Sequence, residues 1–346
     1  MILFSTNQKN KKSILASLPI LTLFVIVTTT ITLFSCKKDQ GNFRKLTNKE
    51  RASVVYSIGI RLQENYIFPE VADSMSALII NNLRNGLYQS IFRPEDYADK
   101  LTQDLQSVSH DKHIRVVFNK SRKGSSAPGD SKKSKTDIND ILSRDNYGFK
   151  EAKMLDGNIG YLDLRFFADT LYAKNAALAA MNYLCGADAL IIDLRNNSGG
   201  TAAMVQLIIS YFFSDKPVHL NSFYWRRTNN ITETWTLPKL PDKLRPDIDL
   251  YILTSSLTFS GAEEFAYDLK NLKRATLIGE TTGGGANIGT VMNATRRFKV
   301  FIPLGRAINP ITQTNWEGVG VEPHIKTTSE AAFDTARLIA YKKSMK

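Results

Sequence analysis

The sequence predicts an α/β core preceded by a small N-terminal helical domain. Four short, nearly continuous apolar runs, at 158–167, 189–195, 250–255 and 275–280, alternate with helix-patterned stretches at 171–184, 202–213 and 262–272. Runs of this kind are strands buried on both faces, and their alternation with helices marks a largely parallel sheet. Ahead of them, residues 44–108 show only helical periodicity. The 346 residues, 43% hydrophobic and 23% charged, are enough for a sizeable core and exclude collagen-like, wholly disordered and polytopic membrane chains.

The first 35 residues read as an address, not as part of the fold. Lys9, Lys11 and Lys12 precede an uncharged, largely apolar run at 13–35 that ends in Leu33-Phe34-Ser35-Cys36. A basic segment followed by an apolar one is the pattern of a secretory signal peptide. The junction resembles the lipobox of bacterial lipoproteins. That resemblance implies removal of 1–35 and acylation of Cys36, with palmitate-type chains anchoring the protein in the membrane of a bacterial cell envelope, on the periplasmic side or at the outer membrane. Each buried methylene contributes about 0.8 kcal/mol, so several chains anchor firmly. Cys185 would then be the one remaining thiol, which excludes a disulfide scaffold.

Residues 36–118 make the expected helical domain. Thr47-Asn48-Lys49-Glu50 fits a capping box, with Val55, Ile58 and Leu62 following at helical spacing. A second helix runs over 71–84 and stops at Asn85-Gly86; Pro94-Glu95-Asp96 opens a third, with Tyr97, Leu101 and Leu105 on one face. Ser109-His110-Asp111-Lys112-His113 then leads into a short strand at 114–118, which puts His113 at a helix-to-strand turn. Residues 119–150 form the expected linker. Between 119 and 136 it carries Lys120, Arg122, Lys123, Lys132, Lys133 and Lys135 against Asp130 alone, and it contributes to a net charge of +12. Without interleaved aromatics to stack bases, it reads as a solvated connection and not as a nucleic-acid site. The core is expected over 151–346, with a hairpin at 218–227 and 232–237 and no internal repeat.

Two loops could do chemistry. Asp193-Leu194-Arg195-Asn196-Asn197-Ser198-Gly199-Gly200 joins a strand to a helix, and its paired glycines let backbone N–H groups approach an oxyanion or phosphate. Asp193 and Arg195 are expected to organise that loop by hydrogen bonds. In the second, Ser260-Gly261-Ala262-Glu263 follows a strand and opens a helix, as a nucleophile elbow does. Ser260 with Glu263 fits a capping box equally well, so this motif alone leaves both roles open. Neither a P-loop nor HExxH is present, and four scattered histidines make a poor metal set. No metal or cofactor is expected.

In this order, the two loops resemble a family of serine peptidases. It includes the C-terminal processing (tail-specific) proteases, the tricorn core protease and the interphotoreceptor retinoid-binding protein repeats. The likeness continues through 274–284 and Trp316-Glu317-Gly318-Val319-Gly320-Val321-Glu322-Pro323, and Asp111-Lys112-His113-Ile114 matches the end of the family's helical segment. It implies a crotonase-like (ClpP-like) core, Ser260 as nucleophile, and an oxyanion hole from Gly261 and the Gly199-Gly200 loop. The processing proteases take their base from a lysine in Gly-Lys-Gly. Here that position is Gly285, which cannot accept a proton. The tricorn-like solution assigns His113 as base and Glu317 as its carboxylate, with Lys112 where tricorn has a serine. Only about 40 residues separate His113 from the first core strand, too few for the PDZ domain of the processing proteases. The expected activity is therefore that of a lipid-anchored serine endopeptidase acting on peptides or proteins by a Ser-His-Glu mechanism. The alternative, suggested by the retinoid-binding branch, is a non-catalytic binder of an apolar ligand or peptide.

Overall fold

The computed structural model describes residues 45–119, 140–240 and 245–345. Cys36, the signal-peptide run and most of the basic linker lie outside the described residues. Two sheets carry the fold. The larger one has the order β11 (Ile325–Lys326), β8 (Thr276–Gly279), β7 (Asp249–Thr254), β4 (Ala189–Asp193), β3 (Ile159–Leu164), β2 (Phe149–Leu155). All its pairings are parallel except β2 with β3.

Strand alternation explains why the four apolar runs are continuous. Leu162, Leu190, Ile192, Ile252 and Leu277 point to one face, into a core shared with α4 (Thr170–Tyr183), α5 (Ala202–Ser210) and α6 (Gly261–Asn271). Tyr161, Ala189, Ile191, Leu253 and Ile278 point to the other, where α7 (Ser329–Ser344) lays Ala332, Ala336 and Ala340 against them. With both faces covered, nearly every position in these strands is buried. The small i, i+4 alanine stripe lets α7 approach the sheet closely.

The second sheet is antiparallel and is built around one long strand, β10 (Phe298–Ile308). β9 (Asn287–Asn293) runs along one edge of β10. The other edge is shared by β1 (Arg115–Phe118) at 298–301 and β5 (His219–Trp225) at 305–308, and β6 (Asn230–Trp235) extends β5 as the expected hairpin.

The three N-terminal helices form where the sequence signals them. Thr47 caps α1 (Asn48–Asn65) by accepting the Glu50 N–H. Prolines stand at the first turn of α2 (Pro69–Arg84) and α3 (Pro94–Ser109). These helices share their core with the second sheet: Val55, Ile58, Leu62, Tyr97 and Leu101 pack in one cluster with Phe298, Val300 and Ile302 of β10. The strands β2, β9, β10 and β11 and the helix α7 were not expected from the sequence. The apolar residues of β10 find their partners some 200 positions earlier in the chain, a pairing that local periodicity does not signal.

Phe298 is fully buried between the helices and the sheet. Phe298→Ala should cost about 3–5 kcal/mol. The helical segment and core should unfold together in urea. Far-ultraviolet circular dichroism and fluorescence of the three tryptophans, all of which lie beyond residue 220, should therefore give coincident transitions. Two separated transitions would show that the helices fold independently.

Candidate active site

Ser260 stands at the N-cap of α6 with φ 55° and ψ −121°, a backbone conformation that side-chain-bearing residues rarely adopt. The surrounding bonds hold it there. The Phe259 N–H donates to the Asn197 carbonyl (3.0 Å) and Thr258 Oγ1 donates to the Leu194 carbonyl (2.8 Å). Ser255 Oγ donates to the Arg195 carbonyl. These bonds fasten the serine loop to the glycine loop after β4. Asp193 anchors that loop, accepting the Arg195 guanidinium at 2.6 and 2.9 Å and Tyr161 OH at 2.8 Å, as the sequence suggested.

Glu263 does more than cap the helix. Fully buried, its carboxylate accepts the N–H groups of Ser260 (2.9 Å), Gly284 (2.6 Å) and Gly285 (2.8 Å), together with Thr282 Oγ1 (2.5 Å). It thereby ties the serine backbone to the 282–285 loop. The capping-box spacing announced the first of these bonds but not the other three.

His113 reaches Ser260. Its Nε2 lies 3.0 Å from Ser260 Oγ. The ring is wedged between Phe259 and Phe301, with centroids 4.6 and 5.7 Å away. A Cβ built on Gly285 would fall 2.7 Å from His113 Cε1 and closer still to the Phe259 ring. The space that a side chain at 285 would need is therefore filled by the imidazole and its aromatic neighbour.

Two carboxylates flank the far side of His113. Asp111 Oδ1 accepts the His113 backbone N–H at 2.9 Å but lies 3.8 Å from Nδ1, too far for a hydrogen bond. Its other oxygen accepts from Tyr66 OH (3.2 Å) and Asn287 Nδ2 (2.9 Å). Glu317 Oε2 accepts the Ala286 and Asn287 N–H groups at 2.6 and 3.0 Å. His113 Nδ1 and Glu317 Oε1 are both buried without a partner. One oxygen from each acid and one His113 nitrogen all lie within 4.8 Å of one another. A proton on Nδ1 shared with Oε1 would satisfy both orphan atoms. The same donors could in principle ligate a metal, but Asp111 and Glu317 Oε2 already accept five hydrogen bonds among them.

Burial pushes the His113 imidazole below the ordinary histidine value, with the Asp111 charge acting in the opposite direction. Burial and then Asp111 push the Glu317 carboxyl up to about 7.

The glycine loop meets Ser260 closely. A Cβ on Gly199 would lie 2.8 Å from Ser260 Cβ, and one on Gly261 would lie 3.2 Å from Gly200 N. Gly199 and Gly200 adopt φ of 103° and 143°, which only glycine takes without strain. The Gly199 N–H is occupied, donating to Asn197 Oδ1 at 2.8 Å, so of the two glycines sequence reasoning offered, Gly199 does not have a free amide. Gly199 O and Thr201 N pair with Phe167, which turns the Gly200 N–H away from Phe167. Gly261, the first residue of α6, has an N–H with no intrahelical acceptor. Among the described residues, neither the Gly200 nor the Gly261 N–H donates a backbone hydrogen bond.

The other histidines stand apart. His110 is exposed and ends α3 in a left-handed conformation. His219 stacks on Trp235, and His324 Nδ1 accepts the Leu277 N–H. Lys112 donates to the Gly283 carbonyl at 2.5 Å. A cavity of about 310 Å³ opens beside Ser260, lined by His113, Gly200, Gly261, Phe223, Glu264 and Trp316 among others.

Two family models match the chain: the peptidase family S41 domain over residues 158–327, and the N-terminal domain that accompanies it in eukaryotic interphotoreceptor retinoid-binding protein over residues 46–150. The chain belongs to peptidase family S41. It is similar to carboxyl-terminal-processing peptidase 2, chloroplastic, of Arabidopsis thaliana, at 30% identity over 167 residues. That match spans 48% of this chain and 31% of the relative, so the chain covers about a third of that protein's length. Among solved structures, a lipoprotein from Streptococcus agalactiae superposes with TM-score 0.58 at 13% identity, over 85% of this chain and 96% of that one. The tricorn protease superposes with TM-score 0.55 at 13% identity, over 86% of this chain and 37% of that one. At these identities the two structural likenesses show the fold alone, an S41 core behind a helical N-terminal region.

The Glu317 environment has a measurable consequence for this S41 domain. With a folded value near 7 against about 4.3 unfolded, the native state holds the extra proton between these values, and stability falls as pH rises through that window. His113, pushed down, acts with the opposite sign. Glu317→Gln should therefore gain stability relative to wild type between about pH 5 and pH 8. Urea midpoints at the two pH values measure this; an unchanged difference would contradict the raised carboxyl.

Proposed function

We propose that this S41 protein is a lipid-anchored serine endopeptidase with a Ser-His-Glu site. The observation that carries the reading is the 3.0 Å approach of His113 Nε2 to Ser260 Oγ at a position where Gly285 leaves no room for another base. A hydroxyl is a poor nucleophile until a base takes its proton.

Ser260 Oγ attacks the scissile carbonyl while its proton passes to His113 Nε2. The carbonyl oxygen, now negative, lies against the Gly200 and Gly261 N–H groups. Glu317 Oε1 accepts a hydrogen bond from the Nδ1–H and stabilises the imidazolium, as the third member of a triad does. His113 then protonates the leaving amine and the acyl-enzyme forms. Water, deprotonated by the same nitrogen, attacks the ester carbonyl and releases the acid, which restores Ser260. A non-catalytic binder on this fold would need neither the strained Ser260 backbone nor the pairing with His113.

Ser260→Ala and His113→Ala should each lower kcat on a fluorogenic peptide by several orders of magnitude, and the double variant by little more, because the members act as a unit. His110→Ala should be silent. An active Ser260→Ala would end the peptidase reading; an active His113→Ala beside an inactive His110→Ala would reassign the base. In the wild type, kcat/KM should rise with pH as His113 and Glu317, titrating as a pair, lose their protons. Glu317→Gln should remove the step near 7.

The anchor belongs to the same proposal. It rests on Leu33-Phe34-Ser35-Cys36 and the apolar run before it, and it places the enzyme at the bacterial cell envelope. Cys36→Ala should abolish incorporation of a clickable palmitate analogue. Undiminished labelling would contradict lipidation.

A further inference from the structure

The cavity beside Ser260 contains a group that the mechanism does not use. Glu264 lines it, four residues after the nucleophile on the same helix. Residues so spaced share a helix face, so Glu264 lies about one turn below Ser260. It is only 6% exposed. Among the described residues its side chain has one hydrogen-bond partner, Asn221 Nδ2, at 3.5 Å, the limit of such a bond.

Behind it, one further turn along α6, stands Asp268. This residue is fully buried, with Oδ1 accepting from Asn309 Nδ2 at 3.2 Å and Oδ2 accepting from nothing. The neighbours that bear on the two acids are each other and these two amides; among the described residues no cation pairs with either. Burial pushes the Glu264 carboxyl up to about 7, and burial and then the Glu264 charge push Asp268 up as well. A buried acid pair with no cation is costly unless a proton or a positive charge is supplied. Glu264 opens toward the cavity in which the residue preceding the scissile bond would lie. The walls there are Phe223, Ala202, Ile288 and Trp316, suited to an aliphatic stem.

Resting on the peptidase reading, we infer that Glu264 determines specificity, and that this cavity takes a substrate side chain with an apolar stem and a cationic tip, lysine or arginine, on the acyl side of the scissile bond. The four-carbon stem of lysine runs along Phe223 and Trp316. Its ammonium meets Glu264 and supplies the missing charge. Glu264 touches the bound side chain but takes no part in bond making.

The test reads binding, so that it does not depend on hydrolysis. N-acetylated tripeptides ending in lysine, arginine, glutamine or norleucine are titrated against the Ser260→Ala protein by calorimetry at about pH 8, above the Glu264 value. The lysine and arginine peptides should bind at least about tenfold more tightly than the other two. Glu264→Gln should erase the difference and leave norleucine binding unchanged. Should that variant fail to fold, the unaltered pocket gives the same information: the lysine advantage should vanish below about pH 6 as Glu264 takes up its proton. Equal binding of glutamine and lysine, a preference for norleucine, survival of the preference in Glu264→Gln, or no binding by any peptide would overturn the inference. A lysine preference in a protein that cleaves nothing would uphold the pocket and count against the peptidase reading alone.

Discussion

The site depends on His113 occupying the space that a side chain at 285 would need. That wedge against Phe259 and Phe301 fixes the imidazole 3.0 Å from Ser260. It requires glycine at 285. It also requires the α3–β1 turn to be delivered from the N-terminal segment, which happens only because α1–α3 and β1 pack on β10. A base borrowed from a distant part of the chain is exact in position only if the elements carrying it are rigidly joined. The shared core of Leu62, Tyr97 and Phe298 is that joint.

The polar groups follow the same logic of shared supports. Glu263 binds the backbone of Ser260 and of the 284–285 loop, so nucleophile and histidine pocket are set by one buried carboxylate. Asn287 donates its side chain to Asp111 and its backbone to Glu317, linking the two acids that flank His113. Burial raises Glu317 and lowers His113, shifts that cost stability as charges but favour a neutral, proton-accepting imidazole.

Much of this was legible in the sequence where the information is contiguous. The four buried strands, the Gly199-Gly200 turn and the Ser260 elbow are local patterns, and the Asp193–Arg195 anchor follows from charges at the end of an apolar strand. The pairing of His113 with Ser260 came through ordered resemblance, since nothing local connects residues 147 positions apart. Strand β10 was missed because its partners other than β9, namely β1, β5 and the N-terminal helices, lie far away in the chain. Asp111 gave no signal beyond its place two residues before His113, and its ties to Tyr66 and Asn287 are long-range. Glu263 and Glu264 look alike in sequence, two acids at the start of a helix. Only the fold separates one that clamps loops from one that faces a cavity.

The central claim is that His113 rests as a neutral base, its Nδ1 proton directed at Glu317 and its Nε2 lone pair at Ser260. Nitrogen-15 NMR of protein labelled in histidine, with the His113 signal assigned by its loss in His113→Ala, reads that state directly. At about pH 8 the account predicts a neutral ring protonated on Nδ1, with a strongly deshielded proton that disappears in Glu317→Ala. A neutral ring protonated on Nε2, or an imidazolium at that pH, would contradict it.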